Sequence, residues 1–147
     1  MTGTGYLVRV VLFKCCDLLA SDSMSIDNKS DPYVVFRLAD MKQQSSPVSR
    51  EGNPEWQPPE AFQFAMAEWE HEFLHVQVLD SDRVPPSDLI GSAIIPLALF
   101  AGNRHGDVYR YPLVLPDDLG SNGPTSDIYL QVSLTTMDGD PVEYYLY

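Results

Sequence analysis

The chain has 147 residues, with 21 acidic and nine Lys or Arg side chains and a net charge of −12 at pH 7. This charge argues against nucleic acid as a partner, because phosphates are bound mainly through Lys and Arg. The length fits one domain with a single core, and no stretch approaches the roughly 18 apolar residues of a membrane span.

Strand patterns separated by turn sequences run along the whole chain. In the first, Val8, Val10 and Leu12 alternate with Arg9, and a period of two indicates a half-buried strand. Similar segments follow at 33–38, 62–66, 73–79, 90–97, 108–115 and 128–135. Turn sequences lie between them, including Gln57-Pro58-Pro59, and single helical turns are expected at 65–71 and 97–101. Short strands at this spacing predict an antiparallel sandwich or barrel.

Two loops of this predicted sandwich are rich in aspartate. One spans 80–88 directly after a strand, and the other spans 22–31. Crowded carboxylates repel one another unless a cation lies among them, and hard divalent cations take six to eight oxygen ligands. Loops at one end of a sandwich lie together, so the two loops predict a shared calcium site. As an alternative, Asp and Ser in either loop simply initiate turns.

Four motifs follow one another along residues 5–136. They are Tyr6-Leu7-Val8-Arg9-Val10-Val11, Ser30-Asp31-Pro32-Tyr33-Val34, Asn53-Pro54-Glu55-Trp56, and Val78-Leu79-Asp80-Ser81-Asp82 with Asp88-Leu89-Ile90-Gly91. Each motif alone is weak, but the ordered set is specific. Through this set the chain resembles the C2 domain family.

The resemblance implies an all-β fold, an eight-stranded antiparallel Greek-key β-sandwich. A strand pattern at 128–135 follows the third loop, which resembles the circularly permuted topology with the extra strand at the C-terminus. The expected domain covers 1–136. The remaining residues, 137–147, form an acidic, tyrosine-rich tail, interpreted as either an added edge strand or a disordered segment.

The resemblance also implies a set of metal ligands, expected to hold two to three calcium ions: Asp22, Asp31, Asp80, Asp82 and Asp88. Asp22 and Asp31 are nine residues apart. The commonest spacing in the family is about six, so this loop contains an insertion. Asp27 lies within the insertion and is an alternative or additional ligand.

The implied function is calcium-dependent binding to anionic phospholipid membranes, in membrane targeting, signalling or trafficking. Five carboxylates carry about −5 and two or three calcium ions carry about +4 to +6, so binding acts as an electrostatic switch at this end of the domain. Residues at the loop tips are expected to contact the membrane: Met24, Ile26, Arg83 and Val84.

The alternative function is a calcium-insensitive C2 scaffold that binds protein partners through its sheet or its tyrosine-rich tail. Many C2 domains carry a basic strand for lipid headgroups, but the corresponding region, 37–50, has only Arg37, Lys42 and Arg50 as bases. We therefore expect no strong calcium-independent lipid patch. No catalytic motif is found, so we expect no enzyme activity.

The two cysteines, Cys15 and Cys16, are adjacent and cannot link distant parts of the fold. Nothing in this pattern indicates an oxidising compartment. We therefore expect a cytoplasmic, monomeric protein that attaches reversibly to membranes.

Overall fold

The computed structural model describes residues 5–18, 31–48, 53–81, 88–102, 106–115 and 126–143, with no side chain described for Asp88. These residues form eight strands and one short 3₁₀ turn at Leu97–Phe100. The strands are β1 (Tyr6–Cys16), β2 (Pro32–Leu38), β3 (Met41–Gln44), β4 (Glu55–Met66), β5 (Phe73–Asp80), β6 (Asp88–Pro96), β7 (Val108–Pro112) and β8 (Asp127–Thr136). Two antiparallel four-stranded sheets result, in the orders β4-β1-β8-β7 and β3-β2-β5-β6, which confirms the predicted sandwich.

The last strand in the chain, β8, lies in the interior of the first sheet. It pairs with β1 along its whole length and with β7 on its other side. In the permuted chain order, the last strand of the chain is expected to pair with the first strand. The prediction of an extra strand at the C-terminus is therefore confirmed.

The core lies between the two sheets and follows the period of two along each strand. In β1, Val8, Val10 and Leu12 are fully buried while Arg9 is exposed. Trp56 is a fully buried side chain of this core, and its Nε1–H donates to the carbonyl oxygen of Ser46 at 2.9 Å. Burying an indole requires such a partner for its N–H group. The Asn-Pro-x-Trp motif therefore contributes to both packing and loop geometry.

The structure corrects the expected turn at Gln57-Pro58-Pro59, since these residues lie within β4. Lys14 pairs with Glu55 and Leu12 pairs with Glu60, so the two prolines fall in an irregular part of the ladder. Proline has no N–H to donate, and it is tolerated on an edge strand where pairing is interrupted. The edge position of β4 allows the two prolines to lie within the strand. The local sequence does not show that β4 is an edge strand.

Smaller differences concern element ends. The expected helical turn at 97–101 is present as the 3₁₀ turn, whereas no helix forms at 65–71, where β4 continues to Met66. The predicted strand 108–115 is divided into β7 and an isolated bridge at Val114. Strand β3 was not predicted, because its sequence, Met41–Gln44, has no hydrophobic alternation.

Residues 137–143 fold back onto the sandwich after β8. The N–H of Thr136 donates to the carbonyl oxygen of Asp140 at 2.8 Å, and Val142 is buried in the core. The N–H of Gly102, after the 3₁₀ turn, donates to the carbonyl oxygen of Val142. The division of the chain into 1–136 and 137–147 stays a prediction. Within the described ranges, no helix has the length and hydrophobicity needed to cross a bilayer.

Candidate functional site

The candidate site lies where three strand ends of the second sheet meet. Asp31 precedes β2, Asp80 ends β5 and Asp88 begins β6. Pro32 pairs with Asp80, and Asp80 pairs with Asp88. Adjacent strands are about 4.8 Å apart, so the backbones of these three aspartates are neighbours. Three of the five predicted metal ligands therefore come together at one end of this sheet.

Asp80 connects the two acidic loops. Its side chain is only 3% exposed, and its Oδ1 atom accepts a hydrogen bond from the N–H of Asp31 at 3.3 Å. A buried carboxylate requires hydrogen-bond donors or cations because desolvation of its charge is unfavourable. The bond to Asp31 supplies one donor from the other loop. It also holds the end of the 22–31 loop against the end of β5.

Ser81 strengthens this connection from the other direction. Its N–H donates to the carbonyl oxygen of Asp31 at 3.1 Å, and its Oγ donates to the same oxygen at 2.8 Å. Asp31 therefore uses both backbone groups to contact residues 80 and 81. This role of Ser81 was not predicted, although a serine directly after a strand is a common turn signal.

Asp31 ends the connection between β1 and β2, here called the β1–β2 loop. The start of this loop is held at Asp17, whose backbone adopts a positive φ of 58°. Its N–H donates to Oδ1 of Asn53 at 2.9 Å, and its carbonyl oxygen accepts from Oγ of Ser126 at 2.7 Å. These side chains come from the β3–β4 and β7–β8 connections. Both described ends of the β1–β2 loop are therefore fixed by side chains of other loops, and sequence reasoning missed this function of Asn53 and Ser126.

The remaining predicted site residues lie outside what the structure describes. They are the ligands Asp22, Asp27 and Asp82, the side chain of Asp88, and the expected membrane contacts Met24, Ile26, Arg83 and Val84. In the part of the chain that is described, no group of three or more metal-binding side chains occurs. Asp31 and Asp80 offer the hard oxygen donors that calcium prefers, so the described part of the site fits that metal.

The fold is an antiparallel β-sandwich. Its candidate site lies at the strand ends that carry Asp31, Asp80 and Asp88. The C2 domain family model matches residues 6–111. This match covers more than half of the chain, and the chain belongs to the C2 domain family.

Similarity to individual proteins agrees with this assignment. Human multiple C2 and transmembrane domain-containing protein 1 is 33% identical over 131 residues, which cover 88% of this chain and 12% of that protein. The structure of a C2 domain of plant extended synaptotagmin 1 superposes with a TM-score of 0.73 at 18% identity, covering 98% of this chain and all of that domain. The calcium-bound tandem C2 domains of extended synaptotagmin 2 give a TM-score of 0.71 at 22% identity, covering 92% of this chain and 47% of that one. The chain spans about a tenth of the length of the curated relatives it matches.

Proposed function

We propose that this C2 domain is a calcium-dependent binding module for anionic phospholipid membranes. The observation that carries the proposal is the hydrogen bond at 3.3 Å between the N–H of Asp31 and Oδ1 of Asp80, because it brings the two acidic loops together. The calcium-bound state of a protein with a similar fold supports the same assignment.

In this proposal, calcium is held by Asp22, Asp31, Asp80, Asp82 and Asp88, with Asp27 as an alternative or additional ligand. When bound, two to three calcium ions supply positive charge and coordination positions that lipid phosphate can occupy. Before binding, the carboxylates repel an anionic membrane, and neutralising them removes that repulsion. Ser81, Asn53 and Ser126 act in this proposal by holding the described ends of the β1–β2 loop in place.

The loop tips are the second part of the proposed membrane contact. Met24, Ile26 and Val84 provide apolar side chains, and Arg83 provides a guanidinium that can contact phosphate in a bidentate manner. The domain is proposed to act by binding and not by catalysis, in the cytoplasm and reversibly on membranes.

Vesicle sedimentation tests the proposal. Wild-type protein is expected to sediment with phosphatidylserine vesicles in calcium and to stay in solution in EGTA. The double substitution Asp80→Asn and Asp82→Asn keeps the side-chain shapes and removes two charges. It is expected to raise the calcium concentration needed for half-maximal sedimentation at least tenfold.

The matched control is Asp40→Asn with Asp138→Asn, which also removes two carboxylates. Both are exposed in turns, after β2 and after β8, at the opposite end of the sandwich. This control is expected to behave like wild type. Equal sedimentation of wild-type protein in EGTA, or unchanged calcium dependence in the Asp80 and Asp82 variant, contradicts the proposal. No sedimentation in either condition favours the calcium-insensitive scaffold.

A further inference from the structure

The ladder between β1 and β4 contains a large bulge, and a cavity lies beside it. On β1, only Phe13 lies between the paired residues Leu12 and Lys14. On β4, the four residues 56–59 lie between their two partners. Extra residues on one strand bend it away from its neighbour, and such bulges are common next to binding sites. The cavity has a volume of about 430 Å³, which is within the range of small-molecule sites.

The cavity opens on the outer face of the β4-β1-β8-β7 sheet, and all four strands contribute to its walls. Strand β4 contributes Pro59, β1 contributes Phe13, β7 contributes Val108 and β8 contributes Tyr129. Tyr129 lies between two fully buried residues of β8, so its side chain projects outward. Val108 is 46% exposed although it is apolar. Four strands span about 14 Å, so the walls surround a compact space.

Lys14 supplies the positive charge of this cavity. Among the lining residues that the structure describes, it is the only cation and Glu55 the only anion. Lys14 pairs with Glu55 on one side and with Tyr129 on the other. Its Nζ lies 4.9 Å from the centre of the Tyr129 ring, whereas Oε1 of Glu55 accepts a hydrogen bond from Nε2 of Gln57 at 2.6 Å. The ammonium is therefore turned toward the aromatic side of the cavity and away from the carboxylate.

We propose that this cavity binds a small aromatic anion, a flat ring system that carries one carboxylate or sulfonate group. The rings contact Phe13, Pro59 and Val108, because flat apolar groups pack well against aromatic and apolar side chains. The acidic group contacts the ammonium of Lys14, which the ring of Tyr129 holds in place. Apolar walls with one oriented charge are the usual composition of a small-molecule site.

Shape and charge favour this class over other ligands. An inorganic anion gains nothing from the apolar walls, and an uncharged ring leaves the ammonium of Lys14 without an anionic partner. A lipid acyl chain is longer than the four strands are wide, so most of it remains outside. The cavity also lies on the opposite sheet from Asp31 and Asp80, and its ligand is therefore independent of the proposed calcium site.

Fluorescence titration with anilinonaphthalene sulfonate, an aromatic anion, tests the proposal. The full chain is titrated in EGTA, and one saturable site per chain is expected. Lys14→Glu is expected to weaken binding by about tenfold or more, because it replaces an attraction by a repulsion. The matched control is Arg9→Glu, which makes the same charge change on the same face of β1 outside the cavity. It is expected to leave binding unchanged.

A second pair of variants tests the apolar wall. Val108→Asn is expected to weaken binding, whereas Val114→Asn, at another exposed valine outside the cavity, is expected to have no effect. The uncharged analogue phenylnaphthylamine is expected to bind about tenfold more weakly than the sulfonate, with an affinity that Lys14→Glu does not change.

Four results overturn the proposal. The first is the absence of saturable binding of the sulfonate, and the second is equal weakening by Lys14→Glu and Arg9→Glu, since net charge then explains the effect. The third is a loss of binding in Val114→Asn but not in Val108→Asn, which places the probe elsewhere. The fourth is Lys14-dependent sedimentation with phosphatidylserine vesicles in EGTA without binding of the sulfonate, which assigns the face to lipid.

Discussion

Asp80 holds the end of the opposing loop and is also a proposed calcium ligand, and both functions depend on one side chain. It ends β5 as a buried carboxylate, and its Oδ1 atom holds the N–H of Asp31 at the end of the opposing loop. Asparagine in its place keeps an oxygen acceptor and removes the charge. The Asp80→Asn variant therefore separates loop geometry from metal affinity, which an alanine substitution cannot do.

The two adjacent cysteines are expected to differ in reactivity. Cys15 is fully buried, and this burial, followed by the effect of Cys16 beside it, raises the pKa of its thiol. Cys16 is partly exposed. Because only the thiolate reacts, native protein is expected to titrate one fast thiol with Ellman's reagent and two after denaturation, with Cys15 slower by about 100-fold or more.

The Cys16→Ser variant is the control for this titration. It is expected to show no fast thiol in the native state and one after denaturation. Two fast thiols in the native wild-type protein contradict the buried position of Cys15 in β1.

At the scale of elements, the sheet edges explain most of the irregular features. Strand β4 is an edge strand and accommodates Pro58 and Pro59 where its ladder with β1 is interrupted. Strand β7 is the opposite edge, paired only with β8 among the described strands. Its entry is constrained at Gly106, which precedes the strand with a positive φ of 62°. A Cβ atom there would lie inside contact distance of the Val132 carbonyl oxygen in β8.

Gly106→Ala is therefore expected to destabilise the domain by about 3 kcal/mol or more, since both backbone strain and a clash with β8 oppose it. The control is Gly139→Ala, which has a φ of 89° but no atom within 4 Å of the added Cβ. Strain alone predicts about 1–2 kcal/mol for the control. Urea unfolding measures both free energies, and equal values contradict the close approach of Gly106 to β8.

At the scale of the whole molecule, the proposed calcium site lies at one end of the sandwich, where Asp31 and Asp80 meet. Lys42, Arg37 and His75 lie on the outer face of the β3-β2-β5-β6 sheet, between the two ends of its strands. The proposed calcium site is therefore separate from these three side chains.

Calcium is expected to stabilise the folded domain, because a ligand that binds only the native state shifts the unfolding equilibrium. At 100 times the dissociation constant, one site adds about 2.7 kcal/mol, which for a domain of this size raises the melting temperature by roughly 5–10 °C. Thermal unfolding in calcium and in EGTA measures the shift. The Asp80→Asn and Asp82→Asn variant is expected to lose most of it, and an equal shift in wild type and variant contradicts the assigned ligands.

Much of the fold was predictable from the sequence because burial alternates with period two wherever one face of a strand meets the core. Val8, Val10 and Leu12 are an example, and the order of the C2-like motifs predicted the permuted chain order. The meeting of Asp31 and Asp80 was predictable because loops at the same end of a sandwich lie together. Strand β3 was not, since a short polar edge strand has no hydrophobic period to detect.

The sequence by itself therefore determined the all-β sandwich, its family and the two acidic loops, because these depend on local pattern and motif order. Only the tertiary structure decided that Asp80 contacts Asp31, that Ser81, Asn53 and Ser126 hold the loop, and that Lys42, Arg37 and His75 lie in one row. Most of these contacts join residues far apart in the chain. The register between strands sets them, and no local pattern encodes that register.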